Sequence, residues 1–115
     1  MMLLQSLRIT IPLLMLMATS CTSSKHVEFL GFEGCPNTPE LRKRLVEADS
    51  SLGIVDVDLM TLQKGDPRLG WGAPTILING KDLFGIAACT NGNVSCRNWE
   101  DGLPTTDQII QALED

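Results

Sequence analysis

Gly34-Cys35-Pro36-Asn37-Thr38 stands where an apolar run, Val27-Glu28-Phe29-Leu30-Gly31-Phe32, gives way to a helical pattern beginning near Pro39. A cysteine at a strand-to-helix corner is chemically privileged, because unpaired backbone N–H groups and the positive end of the helix dipole both favour thiolate over thiol. Cys35 is therefore a candidate nucleophile. Further along, Gly72-Ala73-Pro74-Thr75-Ile76-Leu77-Ile78-Asn79-Gly80-Lys81 puts a proline at the head of an apolar strand that ends in a two-residue turn. The relation between these two stretches decides both fold and chemistry.

Working outward, Val27–Phe32 is rich in β-formers without clean alternation, as expected of a central strand covered on both faces. Residues 39–48 carry Leu41, Leu45 and Ala48 on one face and charges on the other, the pattern of an amphipathic helix packed on a sheet. Its start has two readings: Cys35 as cap with Pro36 in the first turn, or Thr38 as cap with Pro39 first; Asn37 with Glu40 also fits a capping box. The dipole acts on Cys35 fully only in the first case. Ser50-Ser51-Leu52-Gly53 is a break, and Ile54-Val55-Asp56-Val57-Asp58-Leu59 alternates like a strand, which implies a parallel right-handed crossover. Residues 60–72 hold a possible short helix, Met60–Lys64, and several breakers. Trp71 reads either as a rim aromatic over the Cys35 corner or as a core-edge residue. Thr75–Ile78 and Asp82–Phe84 flank Asn79-Gly80-Lys81, and Asn-Gly between apolar runs is a strong hairpin signal. Thr105–Leu113 closes the chain as a helix capped by Pro104-Thr105-Thr106-Asp107, with Ile109, Ile110 and Leu113 on its buried face. The expectation is an α/β domain over 27–115: β-α-β, then a β-hairpin and a C-terminal helix, on one central mixed sheet.

Residues 1–20 contain a single charge, Arg8, and an apolar run, Ile9–Ala18, too short to span a bilayer and shaped like a secretory signal. Ala18-Thr19-Ser20-Cys21 resembles a bacterial lipobox with Ala18 in place of the usual Leu; the resemblance implies that Cys21 is acylated, against an ordinary cleaved signal with a cysteine nearby. Residues 21–26 then form a Ser/Thr-rich tether, and His26 at its end carries no role. The expected localisation is the bacterial cell envelope, on the periplasmic side, held by lipid or else soluble. Without residues 1–20 the balance of nine basic and fourteen acidic residues becomes eight and fourteen, net −6. No basic cluster exists, which argues against nucleic acid as a partner. The remaining domain, roughly 90 residues, lies near the lower limit of a self-sufficient core, so a cross-link would help. Cys35, Cys89 and Cys96 are the available thiols, and an oxidising compartment would close a pair and leave one over.

Cys35-Pro36-Asn37-Thr38 with Ala73-Pro74-Thr75 at this separation resembles the thioredoxin fold. The resemblance implies a cis proline at Pro74 beside the nucleophile, and a substrate groove formed by Pro36, Thr38, Ala73, Pro74 and Thr75 in which backbone groups pair with an extended substrate as an added strand. A trans Pro74 that merely opens the strand is the plainer alternative. Val27-Glu28-Phe29 is similar to the Val-Asp-Phe of thioredoxins, whose buried acid moves protons at the active cysteine; the spacing here is one residue longer, and a solvent-facing Glu28 is the other reading. Thr38 stands where a dithiol protein has its resolving cysteine, so the resemblance to monothiol glutaredoxins implies release of a mixed disulfide by another thiol. Taken together, Glu-Gly-Cys-Pro-Asn-Thr, Gly-Ala-Pro-Thr-Ile-Leu-Ile-Asn-Gly-Lys-Asp, Ser-Cys-Arg and the final Gly-x-Pro with its helix resemble a group of small thioredoxin-like bacterial proteins, some associated with mercury or organomercurial resistance.

Function is thus expected to be thiol-disulfide exchange with Cys35 as nucleophile and protein or small-molecule thiols and disulfides as partners, without a cofactor. The hairpin returns toward the Cys35 corner, so the loop Gly85–Leu103 starts there and brings Cys89 and Cys96, either of which could resolve Cys35. A Cys89–Cys96 disulfide stapling that loop, worth roughly 2.5 kcal/mol in the chain-entropy model, is equally compatible with the sequence. Two other functions remain open: a soft-metal site formed by Cys35, Cys89 and Cys96, and a binding module that kept the fold and lost the chemistry. Asn93-Val94-Ser95 matches a glycosylation sequon and is read as loop.

Overall fold

The computed structural model describes residues 25–89 and 92–115. The expected signal segment over 1–20 and the acylation site Cys21 lie outside the described residues, as does most of the tether. Among the described residues no helix is long and apolar enough to cross a membrane.

Four strands form one mixed sheet in the order β2-β1-β3-β4, where β1 is Val27–Gly31, β2 Ile54–Asp58, β3 Thr75–Ile78 and β4 Lys81–Asp82. β1 runs parallel to β2 and antiparallel to β3, with Phe29 opposite Ile76 and Leu30 opposite Thr75. The two-residue alternation of strand side chains splits β1 between two cores. Val27 and Phe29 join Ile76 under the two helices, α1 (Asn37–Ala48) and α2 (Thr106–Glu114), which contribute Leu41, Leu45 and Ile109. Leu30 and Leu77 face the other way, onto Leu59, Leu69 and Ala73. That second face is covered by the 3-10 turns Leu59–Thr61 and Pro67–Gly70. A strand buried on both faces explains the lack of alternation in Val27–Phe32.

The local chemistry accounts for each boundary. α2 begins at a capping box: Thr105 Oγ1 accepts from Gln108 N, and Gln108 Oε1 accepts from Thr105 N. α1 has no side-chain cap; Pro36 precedes it already in helical conformation, φ −64° and ψ −21°. The first of the two expected starts is therefore nearer the structure, with Cys35 immediately before the helical proline, and neither Thr38 nor Asn37 caps. The expected two-residue turn forms, and β4 starts one residue earlier than the expected Asp82. Asn79 and Gly80 both take positive φ, 52° and 83°, and make a two-residue turn, so Lys81 pairs directly with Ile78 and belongs to β4.

Glu28 is half-buried and paired rather than solvent-facing. Its carboxylate accepts from Arg68 at 2.9 Å, in the turn that covers the second core, and lies 3.8 Å from His26. Pairing satisfies the one polar side chain that the pleat turns inward here. Trp71 packs against the second core and its indole N–H donates to the Ile86 carbonyl at 2.8 Å. The core-edge reading describes it; the hollow it walls contains Cys89 and Cys96 and not Cys35, so it is no rim aromatic over the Cys35 corner.

Candidate active site at the Cys35 corner

Because β1 and β3 are antiparallel with Leu30 facing Thr75, the residues leaving β1 and those entering β3 share one edge of the sheet. Cys35 arrives on a tight turn, its N–H bonded to the Phe32 carbonyl, and its own carbonyl accepts from Thr38 N at 3.1 Å. Gly31 is needed at this point: a Cβ there would lie 2.7 Å from the Thr38 methyl. Cys35 is buried, 4% exposed, and its thiol donates to the Ala73 carbonyl at 3.3 Å. The Ala73–Pro74 peptide bond is cis.

The loop after β4 returns to the same edge. Ala73 N donates to the Ser95 carbonyl at 2.9 Å and Arg97 N donates to the Ala73 carbonyl at 2.6 Å, a parallel bridge that pairs Cys96 with Ala73. Cys96 is exposed. Its thiol is held above the ordinary cysteine pKa, first by side-chain hydrogen bonding with Cys35, then by desolvation and last by the Cys35 charge. A thiol donating to a neighbouring sulfur is harder to ionise, because the proton it would lose is the one shared.

The loop is held by a buried ion pair. Arg97 Nη1 meets Asp82 Oδ1 at 2.6 Å and also donates to Thr75 Oγ1 at 3.0 Å. Asp82 Oδ2 accepts from the N–H groups of Phe84 and Ile86. The guanidinium lies over Trp99, 3.8 Å from its ring centroid, and Trp99 Nε1 donates to the Pro74 carbonyl. Arg97, Asp82 and Trp99 thus tie Cys96 to the proline segment. None of the three was an expected site residue. Arg97 follows a cysteine and Asp82 follows a turn, but nothing in their spacing joins them.

Of the expected site residues, Cys35, Pro36 and Thr38 line one open cleft of about 740 Å³ with Phe32, Pro39, Val57 and a rim of charged groups. Thr38 Oγ1 is buried there without a hydrogen-bond partner among the described residues. Ala73, Pro74 and Thr75 are fully buried and form no accessible groove surface. Ala73 spends its N–H and carbonyl on residues 95 and 97, and Thr75 donates its hydroxyl to the Gly72 carbonyl while accepting from Arg97. The added-strand groove expected at these residues is filled by the chain's own segment. Cys89 is exposed, with its N–H bonded to the Gly70 carbonyl at 2.9 Å, and shares a hollow with Cys96 rather than with Cys35. Cys35, Cys89 and Cys96 are all free thiols. Among the described residues no group of three or more His, Cys, Asp and Glu side chains stands together as a metal site, so the three cysteines do not converge.

No protein-family model matches the chain, and no curated protein or solved structure matches it.

Proposed function

We propose that this chain is a thioredoxin-like thiol-disulfide exchange protein in which Cys35 is the nucleophile and Cys96 the resolving thiol. One observation carries the reading: the residue whose carbonyl the Cys35 thiol touches is the residue on which Cys96 is bridged. Two further features support it, the seat of Cys35 directly before a helix and the cis Pro74 beside it. Thr38 occupies the helix position where a dithiol protein has its second cysteine, and the second sulfur comes instead from the loop. Cys35 attacks a disulfide and expels one thiolate; Cys96 then attacks the Cys35 sulfur, closes a Cys35–Cys96 disulfide and releases the second thiolate. Each step exchanges one S–S bond for another, and the thiol protons pass to the leaving sulfurs. The same reading holds the domain in the cell envelope through a lipid on Cys21, on the strength of the Ala18-Thr19-Ser20-Cys21 motif.

The test is a non-reducing peptide map after exposure of the reduced protein to a small disulfide. The intact protein should yield a Cys35–Cys96 linked peptide, and Cys96→Ser should accumulate a reagent adduct on Cys35. Exchange that persists in Cys35→Ser would refute the assignment, and a Cys89–Cys96 peptide as the main product would remove Cys96 from its role.

A further inference from the structure

The two sides of Cys35 are unlike. On one side Ser95-Cys96-Arg97 lies along Ala73, using both backbone groups that an extended polypeptide would need for strand addition. On the other side is the cleft, walled by Phe32, Pro36, Pro39 and Val57. Its surface is mostly apolar and its charged groups are one base against three acids: Arg42, Glu33, Asp56 and Asp58. Arg42 is spent on Asp56, which it grips through two hydrogen bonds of 2.7 and 2.8 Å. Among the described residues neither Glu33 nor Asp58 has a basic partner, and both are exposed on the rim. Cys35 is too deeply set, at 4% exposure, for a bulky disulfide to reach it across the covered side.

Resting on the exchange reading above, we propose that the substrate of Cys35 is a low-molecular-weight disulfide, apolar and either uncharged or cationic, admitted through this cleft, and that Ser95–Arg97 acts as a resident strand that shuts out extended protein segments. The apolar walls favour a hydrocarbon or aromatic body. Glu33 and Asp58, the latter also capping the Leu59–Thr61 turn through the Met60 N–H, have no basic partner among the described residues to offset them; they raise the local concentration of cations and lower that of anions. The chemistry balances without a further reagent. RS–SR loses one RS⁻ as the Cys35–SR bond forms; the second RS⁻ leaves as Cys96 closes the Cys35–Cys96 bond; the two protein thiols are oxidised, the reagent is reduced to two RSH, and both protons end on the released thiols.

Four disulfide probes separate the possibilities: 4,4′-dithiodipyridine, uncharged and aromatic; cystamine, a dication; and oxidised glutathione and dithiobis(nitrobenzoate), both anions. Each is given to the reduced full-length protein, the Cys35–Cys96 linked peptide is followed in time, and each rate is divided by that of the same probe with free cysteine. The uncharged and cationic probes should lead the anionic ones by about tenfold at low salt, a gap that narrows as salt screens the rim. Glu33→Gln with Asp58→Asn should raise the normalised rates of the anions and lower that of cystamine. Equal normalised rates for all four probes, or a lead for the anions, would overturn the proposed substrate class while leaving the exchange reading in place. Failure of every probe to form the linked peptide would overturn both. A reduced protein that oxidises faster with a disulfide-bonded unfolded polypeptide than with dithiodipyridine would show that the resident strand does not exclude extended partners.

Discussion

Arg97→Met should unfasten the loop that carries Cys96. The carboxylate it leaves behind, Asp82, is 1% exposed, and Arg97 itself is 8% exposed. Asp82 would keep the N–H groups of Phe84 and Ile86 but lose its only cation among the described residues. Removing one partner of a buried ion pair costs about 3–5 kcal/mol, because the other charge stays buried without compensation. Arg97 sits toward the lower edge of that burial, and methionine retains some contact with Trp99, so the lower figure of about 3 kcal/mol applies, with the lost cation–π contact included in it. In a domain of this size 1 kcal/mol moves Tm by about 4–8 °C, which makes the expected drop about 12 °C or more. Urea unfolding of the fully reduced protein at pH 7 reads the free energy directly. The double variant with Asp82→Asn reads the coupling, expected at about 1.5 kcal/mol or above. A second consequence separates fastening from mere stability: the Cys35–Cys96 disulfide, equilibrated with a glutathione couple, should lose at least about a factor of ten in effective concentration, since the two sulfurs are no longer held together. A stability loss below about 1 kcal/mol, or additive single and double variants, would refute the ion-pair argument. An unchanged disulfide equilibrium would show that the backbone bridge to Ala73 suffices on its own.

Other perturbations test the electrostatics. The Cys96 thiol is held high chiefly by its hydrogen bond to Cys35, so in Cys35→Ala it should titrate closer to the ordinary cysteine value in an ultraviolet thiolate titration; an unmoved or higher value would mean that Cys35 is not the cause. A folded pKa above the unfolded one contributes stability that is present below the unfolded value and lost as pH rises through the folded value, so the reduced wild-type protein should weaken above the ordinary cysteine range, and Cys96→Ser should weaken less. Asp66 is displaced in the opposite sense, lowered to about 2 first by its side-chain hydrogen bond with Arg68 and then by the Arg68 backbone N–H. Its contribution is present above the ordinary carboxylate range and is lost as pH falls toward 2; denaturant midpoints taken from pH 5 to pH 2 should therefore fall more steeply for wild type than for Asp66→Asn, and parallel curves would contradict the assignment.

Residue order alone determines much of this molecule. The apolar run 27–32, the charged-and-leucine periodicity of 39–48, the Asn79-Gly80 turn and the Thr105 cap each express a local rule: side-chain period, turn conformation or end-group hydrogen bonding. Their order in turn implies the α/β sheet and a cysteine at a strand-to-helix corner, because antiparallel pairing of the first and third strands sets the segment leaving one beside the segment entering the other. The choices that residue order could not make lie at longer range. Cys89 and Cys96 are equivalent in spacing, and only the backbone bridge between residues 96 and 73 distinguishes them. Ala73, Pro74 and Thr75, expected in an open groove, are buried beside a loop whose path depends on one arginine reaching one aspartate across the hairpin. An ion pair between residues 15 apart in sequence leaves no periodic trace, since its geometry exists only after the sheet has formed. Which side of Cys35 stays open to solvent is likewise a property of packed surfaces, and chain order carries no record of it.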